Sequence, residues 1–183
     1  MITFPNCKIN LGLYVVKKRP DGYHDISTVF YPVAFADILE IGERQKDDTV
    51  IFGSSGEAIP GTGANLCVKA YELLRKDHPL PPVQFHLHKL IPPGSGLGGG
   101  SSDAAFTLIM LNTMFRLKLS AQTLSAYARK LGSDCPFFLR NTPVLASGRG
   151  DVFRPVRLDL SGYRIVLIVP PVHISTQEAY EGI

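Results

Sequence analysis

The chain has 183 residues, of which 45% are hydrophobic and 19% charged, and its formal net charge is +3. This length can bury a core of its own, and no apolar run approaches the roughly 20 residues of a membrane span. MITFPNCKIN lacks the regions of a secretory signal, and the small, dispersed charge argues against a nucleic-acid partner. Because Cys7, Cys67 and Cys135 are odd in number and widely spaced, we expect reduced thiols and a cytoplasmic location.

The N-terminal segments predict two strands joined by a turn. Residues 2–17 alternate loosely between polar and apolar side chains and predict a strand with Lys8 and Asn10 on one face. A lysine in this apolar neighbourhood either extends its ammonium to solvent or meets a buried anion. RPDGYH, at 19–24, has the residue order of a turn, and 29–41 predicts a second strand whose proline favours a sheet edge.

The next segments alternate between loop, helix and strand. Residues 42–63 are rich in glycine and predict loops. Asn65 is a typical N-cap residue for a helix predicted over 66–76, and alternation over 83–87 predicts a half-buried strand. The two histidines of HLH share a face of that strand, where a metal pair is conceivable. No cysteine or carboxylate stands nearby, so a solvated face is favoured.

The second half of the chain predicts two helices, a hairpin and a strand. The apolar segment 104–117 predicts a buried helix, and Ser120 caps a further helix that ends at Gly132. A hairpin is expected within 143–156, around SGRGD. The continuous apolar run 163–169 predicts a strand.

Two short patterns near the C-terminal side carry further expectations. Asp134, in GSDCPFF, is the first acidic residue after Asp103, and it is either the N-cap of the turn that follows or a functional carboxylate. STQE, at 175–178, is a capping box that opens a helix. Because Ile183 follows shortly after, we expect a truncated protein.

The segment with the most specific chemistry is PPGSGLGGGSSDAA, at 92–105. Its glycines can adopt positive φ and turn successive N–H groups into a concavity. Ser101 and Ser102 offer N-cap hydroxyls to the helix that follows, and Asp103 suits its positive N-terminus. A glycine loop that leads into a helix is a phosphate site, whereas a flexible linker would not run directly into a capped apolar helix.

Three familiar phosphate loops do not fit this segment. A Walker loop needs a lysine before its Ser or Thr, but Ser101 follows Gly100 directly. The dinucleotide pattern GxGxxG is present, but the acidic residue that should hold the ribose about 20 positions further on is absent. The HRD and DFG signatures that accompany a protein-kinase glycine loop are absent as well.

Three separated segments together resemble one family, the GHMP small-molecule kinases. PPGSGLGGGSSDAA is similar to the ATP-binding loop of that family, and FPNCKINLGLYVVKKRPDGYHDISTVF and LGSDCPFF are similar to two motifs of one branch. Cys7 stands where alanine is usual and Ser95 where a third glycine is common; both are small. The GYH element is typical of the branch that phosphorylates the 2-hydroxyl of a CDP-linked methylerythritol in non-mevalonate isoprenoid biosynthesis.

The resemblance implies a catalytic pair, Lys8 and Asp134. Asp134 would orient the acceptor hydroxyl, and whether it also deprotonates that hydroxyl stays open. Lys8 would hold the carboxylate and the hydroxyl or γ-phosphoryl group in place. Such roles suit phosphoryl transfer, where positioning and charge stabilisation do most of the catalytic work.

The resemblance also implies ATP and Mg²⁺, with Asn65 and Lys89 beside the adenosine. The Mg²⁺ would lie near the start of the helix or be held mainly by the phosphates, and its ligands are unknown. The residues expected around the phosphates are Pro92, Pro93, Gly94, Ser95, Gly96, Leu97, Gly98, Gly99, Gly100, Ser101 and Ser102.

For the small-molecule substrate, the resemblance implies a cytosine site and a sugar-alcohol site. Tyr23 would stack on the cytosine with Tyr180 on its far side, and His24 would contact the edge of the base. Asn10 would touch the erythritol end. From the residues alone, Tyr23 and His24 could equally be the packed start of a strand.

The implied fold is α+β, a ribosomal protein S5 domain 2-like unit with a left-handed βαβ element in 1–155. Residues 156–183 would begin a truncated ferredoxin-like C-terminal domain, since the family's second glycine loop is absent. We therefore expect poor turnover from this chain by itself and an apolar surface at 163–169 through which a homo-oligomer could form. Another GHMP kinase and a non-catalytic nucleotide-binding fragment remain as alternatives.

Overall fold

The computed structural model describes residues 1–44, 49–60, 65–170 and 179, which form a mixed α/β fold. The strands are β1 (Ile2–Thr3), β2 (Asn6–Lys18), β3 (His24–Ala36), β4 (Ile38–Glu43), β5 (Ile51–Gly56), β6 (Val83–Lys89), β7 (Val144–Ser147) and β8 (Val152–Pro155). The helices are α1 (Leu66–Arg75), α2 (Gly99–Met114), α3 (Ala121–Leu131) and α4 (Cys135–Arg140).

The strands form two four-stranded sheets, with orders β1-β4-β6-β5 and β2-β3-β7-β8. The ladders are antiparallel except for the parallel pair β5 and β6. A parallel pair needs a crossover connection, and here α1 lies within it.

Helix α2 packs against both sheets. Leu108 and Leu111 belong to a core formed with β4, β6, α1 and α3, whereas Ala105 joins Phe30 and Phe137 in a core formed with β3, β7 and α4. This double packing explains why the helix is apolar almost all round, as the sequence predicted. It also places the N-terminus of α2 where the two sheets meet.

The predicted start of this helix was wrong. The helix begins at Gly99, and its N-cap is Gly98, which has φ 73° and makes no side-chain cap hydrogen bond. Ser101 and Ser102 lie inside the first turns, so neither hydroxyl caps the helix. A left-handed glycine supplies the entry angle, and the glycines that follow become the first helical residues.

The two strands predicted at the N-terminal side are each divided. Pro5 separates β1 from β2, and Asp37 separates β3 from β4. The ladder between β2 and β3 runs from Asn6 to Lys18 with three irregularities, and Gly12 in it has φ 63°. The ladder between β3 and β7 ends at Phe30. Pro32 lies beyond it in β3, so the missing N–H of the proline removes no hydrogen bond from that ladder.

One strand was missed. Residues 51–56 lie in the segment predicted to be loops, but they form β5. Their IFGSSG sequence is poor in strand-forming residues, and their pairing to β6 supplies the order that local preference does not. Gly56 also has φ 79°, and a Cβ there would lie 2.1 Å from the carbonyl oxygen of Lys89.

The predicted capping of α1 and α3 is confirmed. The Asn65 Oδ1 accepts a hydrogen bond from the Cys67 N–H at 2.8 Å, and the Ser120 Oγ accepts one from the Thr123 N–H at 3.1 Å. Helix α3 ends before Gly132, as expected. The alternating strand β6 and the β7–β8 hairpin are confirmed too.

The strand predicted over 163–169 was wrong. That segment has no regular secondary structure, and Val166 and Ile168 are 80% and 86% exposed. A strand needs a neighbour to satisfy its backbone groups, and no strand of the described ranges pairs with it. The capping box at 175–178 and Ile183 lie outside the described residues. Among the helices that are described, none has the length and apolarity to cross a bilayer.

Candidate active site

The glycine loop encloses a cavity of about 310 Å³ at the N-terminus of α2. Gly94, Gly96 and Gly98 have φ of 75°, 75° and 73°, so the predicted left-handed backbone is confirmed at these positions. This conformation is strained for residues with a Cβ, which explains the glycines. The backbone thus curves around a space at the positive end of a buried helix.

Most of the residues predicted to bind nucleotide line this cavity. It is lined by Ile59, Asn65, Leu66, Lys89, Ile91, Pro92, Pro93, Gly94, Ser95, Gly96, Gly98, Gly99, Gly100, Ser101, Asp103 and Asp134. Leu97 and Ser102 are not among them. Leu97 is 9% exposed and packs with Cys7 and Ile91, and Ser102 is fully buried. Their side chains therefore pack into the interior of the protein and do not face the cavity.

Lys8 and Asp134 meet at this cavity. The Lys8 Nζ lies 3.6 Å from the Asp134 Oδ2, donates to the Gly96 carbonyl at 3.0 Å and donates to the Asn10 Oδ1 at 2.6 Å. The Lys8 backbone N–H also donates to the Leu97 carbonyl at 2.9 Å. Strand β2 is thereby attached to the glycine loop. Lys8 does not extend to solvent: its side chain is buried and pairs with Asp134, which is itself partly exposed.

The ammonium of Lys8 is held in an almost dry environment. Its side chain is only 6% exposed, and its Nζ lies 4.8 Å from the centre of the Phe30 ring. Burial lowers the pKa of Lys8, and the attraction of Asp134 opposes this shift only in part. A cation held this way interacts strongly with the neighbouring Asp134 carboxylate, because little water screens it.

Asp134 is free to act as a functional carboxylate. It occupies the N-cap position of α4 but makes no side-chain cap hydrogen bond. Its side chain is 28% exposed, and it lines the cavity together with the glycine loop. Of the two roles left open by the sequence, the capping role is therefore wrong.

A line of polar side chains continues from Lys8 along β2 and β3. Asn10 accepts from Lys8 and donates through its Nδ2 to the Thr28 Oγ1 at 3.2 Å, and the Thr28 hydroxyl donates to the Gly12 carbonyl. Thr28 is 3% exposed and was not identified from the sequence. In the register, Asn10 lies opposite Phe30 and Thr28 opposite Leu13, so their contact crosses the irregularity between Leu11 and Leu13 and could not be read from the sequence.

Tyr23 and His24 do not line the cavity. Tyr23 is 58% exposed, with the Arg149 guanidinium 5.0 Å from its ring centre, and His24 is the half-buried first residue of β3. Tyr23 precedes β3 and His24 begins it, four residues before Thr28. Arg149 was not singled out in the sequence. Tyr180, expected on the far side of the base, lies outside the described residues.

Lys89 lies at the base of the loop between two carboxylates. Its Nζ donates to the Asp37 Oδ2 and, at 2.9 Å, to the Asp103 Oδ2. Burial alone would lower the pKa of Lys89, but the two carboxylates together raise it. Burial raises the pKa of Asp103 to about 7, with Lys89 opposing and Asp37 adding to the shift. Asp37 could have been noticed as an acid inside the apolar run AFADILEI.

No metal centre is evident in the described ranges, where no group of three or more His, Cys, Asp or Glu side chains could hold an ion. The two histidines of β6, His86 and His88, are instead bridged by the Ser55 hydroxyl at 3.0 and 2.9 Å. His86 is exposed, as expected for a solvated face. The three cysteines are free and buried.

A glycine loop at the start of a buried helix, with a carboxylate lining its cavity and a buried lysine paired to that carboxylate, is the arrangement of a nucleotide-dependent small-molecule kinase. Comparison with known proteins agrees with this class. The family described as GHMP kinases N terminal domain matches residues 65–141. A mevalonate kinase from Methanococcus jannaschii superposes with a TM-score of 0.63 over 86% of this chain and 56% of that one, at 16% identity, which concerns the fold alone.

The chain belongs to the GHMP kinase family, in the group of the 4-diphosphocytidyl-2-C-methyl-D-erythritol kinases. It is 56% identical to the kinase of that name from Cytophaga hutchinsonii and 54% identical to the one from Bacteroides thetaiotaomicron, over 100% of this chain and 67% and 68% of those proteins. A crystal structure of 4-(cytidine 5'-diphospho)-2C-methyl-D-erythritol kinase gives a TM-score of 0.73 at 34% identity and covers 91% of this chain and 61% of that chain. The chain thus spans about two thirds of these relatives.

Proposed function

We propose that the chain carries the ATP site and the catalytic pair of a kinase that phosphorylates the 2-hydroxyl of 4-diphosphocytidyl-2-C-methyl-D-erythritol, in non-mevalonate isoprenoid precursor biosynthesis. The observation that carries the proposal is the Lys8 ammonium, 3.6 Å from Asp134 and 3.0 Å from the carbonyl of Gly96. One buried cation therefore touches both the acid that would meet the acceptor and the loop that would meet ATP. The names of the relatives supply the substrate.

In the proposed reaction, the acceptor oxygen bonds to the γ-phosphorus as the bond from that phosphorus to the β,γ-bridging oxygen breaks. Asp134 orients the hydroxyl and accepts its proton, and Lys8 neutralises charge on the transferring group. ADP leaves with the bridging oxygen. Because the transition state of phosphoryl transfer is loose, a fixed cation and a fixed carboxylate stabilise it chiefly by position and charge.

The loop and the start of α2 would hold the phosphates of ATP. Their backbone N–H groups and the helix dipole favour an anion at this point, and Asn65 lines the cavity where the adenosine is proposed to lie. A Mg²⁺ that arrives with the phosphates would find oxygen donors in Asp134 and the Ser101 hydroxyl, both of which line the cavity. Such an ion would reduce the negative charge of the phosphates.

The second substrate would lie along the β2–β3 face. Asn10, next to Lys8, is proposed for the erythritol end, and Tyr23 and His24 for the cytosine. Thr28 and His24 lie on the same strand, four residues apart, which separates them by roughly 13 Å at strand spacing. That span suits a ligand with its base at one end and its alcohol at the other. Tyr180 remains a proposal for the far face of the base.

Two further proposals concern organisation. Residues 1–155 would form the ribosomal S5-like domain, and 156–183 would begin a ferredoxin-like domain that the remaining third of the relatives completes. The exposed, irregular segment 163–169 supports this division. The buried free thiols support a cytoplasmic location, and self-association through the exposed segment is proposed for the chain by itself.

The experiment is a calorimetric titration of this chain with a non-hydrolysable ATP analogue and Mg²⁺, followed by the CDP-linked methylerythritol. We expect both to bind, with turnover weak until the remaining third is supplied. Binding of the analogue without the cytidine ligand, repeated in the full-length protein, would favour another GHMP kinase. Binding of neither would leave no support for a kinase site in this chain.

A further inference from the structure

The Lys89 side chain joins the two ends of the glycine loop. Lys89 ends β6 just before the loop, and Asp103 follows the loop in the first turns of α2. The Lys89 Nζ donates to the Asp103 Oδ2 at 2.9 Å and also to the Asp37 Oδ2. The three side chains are 4%, 3% and 0% exposed, in that order. The contact is therefore a buried part of the fold.

Asp37 holds the residues that lead into the loop. Its Oδ1 accepts hydrogen bonds from the N–H groups of Leu90, at 2.7 Å, and Ile91, at 2.9 Å. Its own N–H donates to the Pro5 carbonyl at 2.9 Å. One carboxylate thus binds the lysine before the loop and the two backbone positions between that lysine and Pro92.

We propose that Asp37, Lys89 and Asp103 form a loop clamp that positions the glycine loop for ATP, with Lys89 acting through the loop and not as a free cation on the nucleotide. The inference rests on the proposed function, since ATP is the ligand. A glycine-rich loop has much backbone entropy to lose when a ligand orders it. Fixing both of its ends before binding reduces that cost.

The occupation of the Lys89 ammonium favours this role over direct contact. Lysine has three donor hydrogens, and two of them already meet carboxylates. A buried ion pair often contributes no more stability than apolar residues in its place. Stability by itself therefore does not explain the clamp, whereas the position of the loop does.

The test is a double-mutant cycle on binding of the ATP analogue, measured by calorimetry in this chain and in the full-length protein. The variants are Asp37→Asn, Lys89→Met and the pair together. If the three side chains act as one unit, each single change weakens binding by about tenfold, the size expected for a charge-assisted contact, and the pair is no weaker than the single variants. Asp159→Asn, at an exposed aspartate outside the clamp and the cavity lining, serves as the control and should bind within about twofold of the wild type.

Backbone exchange tests the position of the loop without the nucleotide. In Asp37→Asn, the amide hydrogens of Leu90 and Ile91 should exchange faster than in the wild type, while those in the middle of α2 should not. Thermal unfolding identifies variants that fail to fold. If Lys89→Met fails to fold, Lys89→Arg, which keeps the charge, replaces it.

The outcomes separate the inference from the proposed function. If Lys89→Met binds weakly but Asp37→Asn binds like the wild type with unchanged exchange, Lys89 contacts the nucleotide itself and the loop clamp is refuted. Additive losses in the cycle would refute it as well. If the wild-type chain and the full-length protein bind no ATP analogue, the proposed function fails and the inference fails with it.

Discussion

At the scale of single residues, the charge on Lys8 and the carboxylate of Asp134 give the site its proposed chemistry. Asp134→Asn keeps the shape of the side chain but removes its charge and its capacity to accept a proton. We expect kcat of the full-length protein to fall by about 100-fold or more, the usual contribution of a positioned acid or base. Binding of the ATP analogue measured without Mg²⁺ should change little, because the loop is untouched.

The matched control for this change is Asp159→Asn, at an aspartate whose Oδ1 accepts a hydrogen bond from the nearby Ser161 N–H. Steady-state kinetics should find it unchanged. A kcat for Asp134→Asn within a few-fold of the wild type would support a nucleotide-binding role without catalysis by this residue.

Asn65 has two proposed roles that substitution can separate. As the N-cap of α1, its side chain accepts a hydrogen bond from the Cys67 N–H, so Asn65→Ala should cost about 1 kcal/mol of unfolding free energy. Asn65→Ser retains a capping oxygen and should restore most of that stability. If Asn65 also contacts the adenosine, Asn65→Ser should still bind the ATP analogue more weakly than the wild type. Denaturant unfolding measures the first effect and calorimetry the second. If Asn65→Ser binds the ATP analogue as tightly as the wild type, only the capping role of Asn65 is supported.

At the scale of elements, the entry from the glycine loop into α2 depends on close packing. A Cβ on Gly98 would lie 3.0 Å from the Phe138 ring and 3.3 Å from the Lys8 side chain, whereas one on Gly96 would meet nothing within 4 Å. Both glycines have a left-handed φ. The two positions therefore share backbone strain but differ in packing.

Gly98→Ala and Gly96→Ala form a matched pair. We expect each to cost about 1 kcal/mol through φ, with a further 1–3 kcal/mol or so for Gly98→Ala because its methyl group displaces Phe138. Denaturant unfolding would measure the difference, and the displacement of Lys8 should also lower kcat in Gly98→Ala. Equal destabilisation of the two variants would show that packing at this entry is looser than the contacts indicate.

At the scale of the whole molecule, a buried acid couples folding to pH. The pKa of Asp103 is about 7 in the fold against an ordinary value of 3.8, so the native state holds this proton more tightly than the unfolded chain does. The contribution of Asp103 to stability therefore declines as pH rises from about 4 to about 7. Burial is the main cause, and the nearby charge of Asp37 adds to it.

Asn at position 103 cannot ionise, so the stability of Asp103→Asn should not show this decline between pH 4 and pH 7. The unfolding free energy of the variant relative to the wild type should rise from pH 4 to pH 7 and then stay level, which denaturant titrations at several pH values would measure. Asp159→Asn provides the comparison: a backbone hydrogen bond lowers the pKa of that exposed acid, so its difference from the wild type should be level from pH 4 to pH 7. A difference between Asp103→Asn and the wild type that does not vary with pH would contradict the assignment.

Local patterns were sufficient for several elements and for part of the site. The caps Asn65 and Ser120, the alternation of β6 and the hairpin around Gly148 depend on neighbouring residues, so they were predictable. The glycine loop was recognisable as well, since its positive φ values need residues without a Cβ. The roles of Lys8 and Asp134 are implied by the resemblance to the GHMP kinases and not by any local pattern.

Only the tertiary structure decided which side chains meet. Strand β5 forms because it pairs with β6. The apolar run 163–169 stays irregular because no described strand pairs with it. The contact of Lys8 with Asp134 and that of Lys89 with Asp37 each join segments far apart in the chain. Sequence by itself determined the caps of α1 and α3, the alternation of β6 and the glycine loop through short-range preferences, whereas the buried charges depend on long-range packing that no local pattern contains.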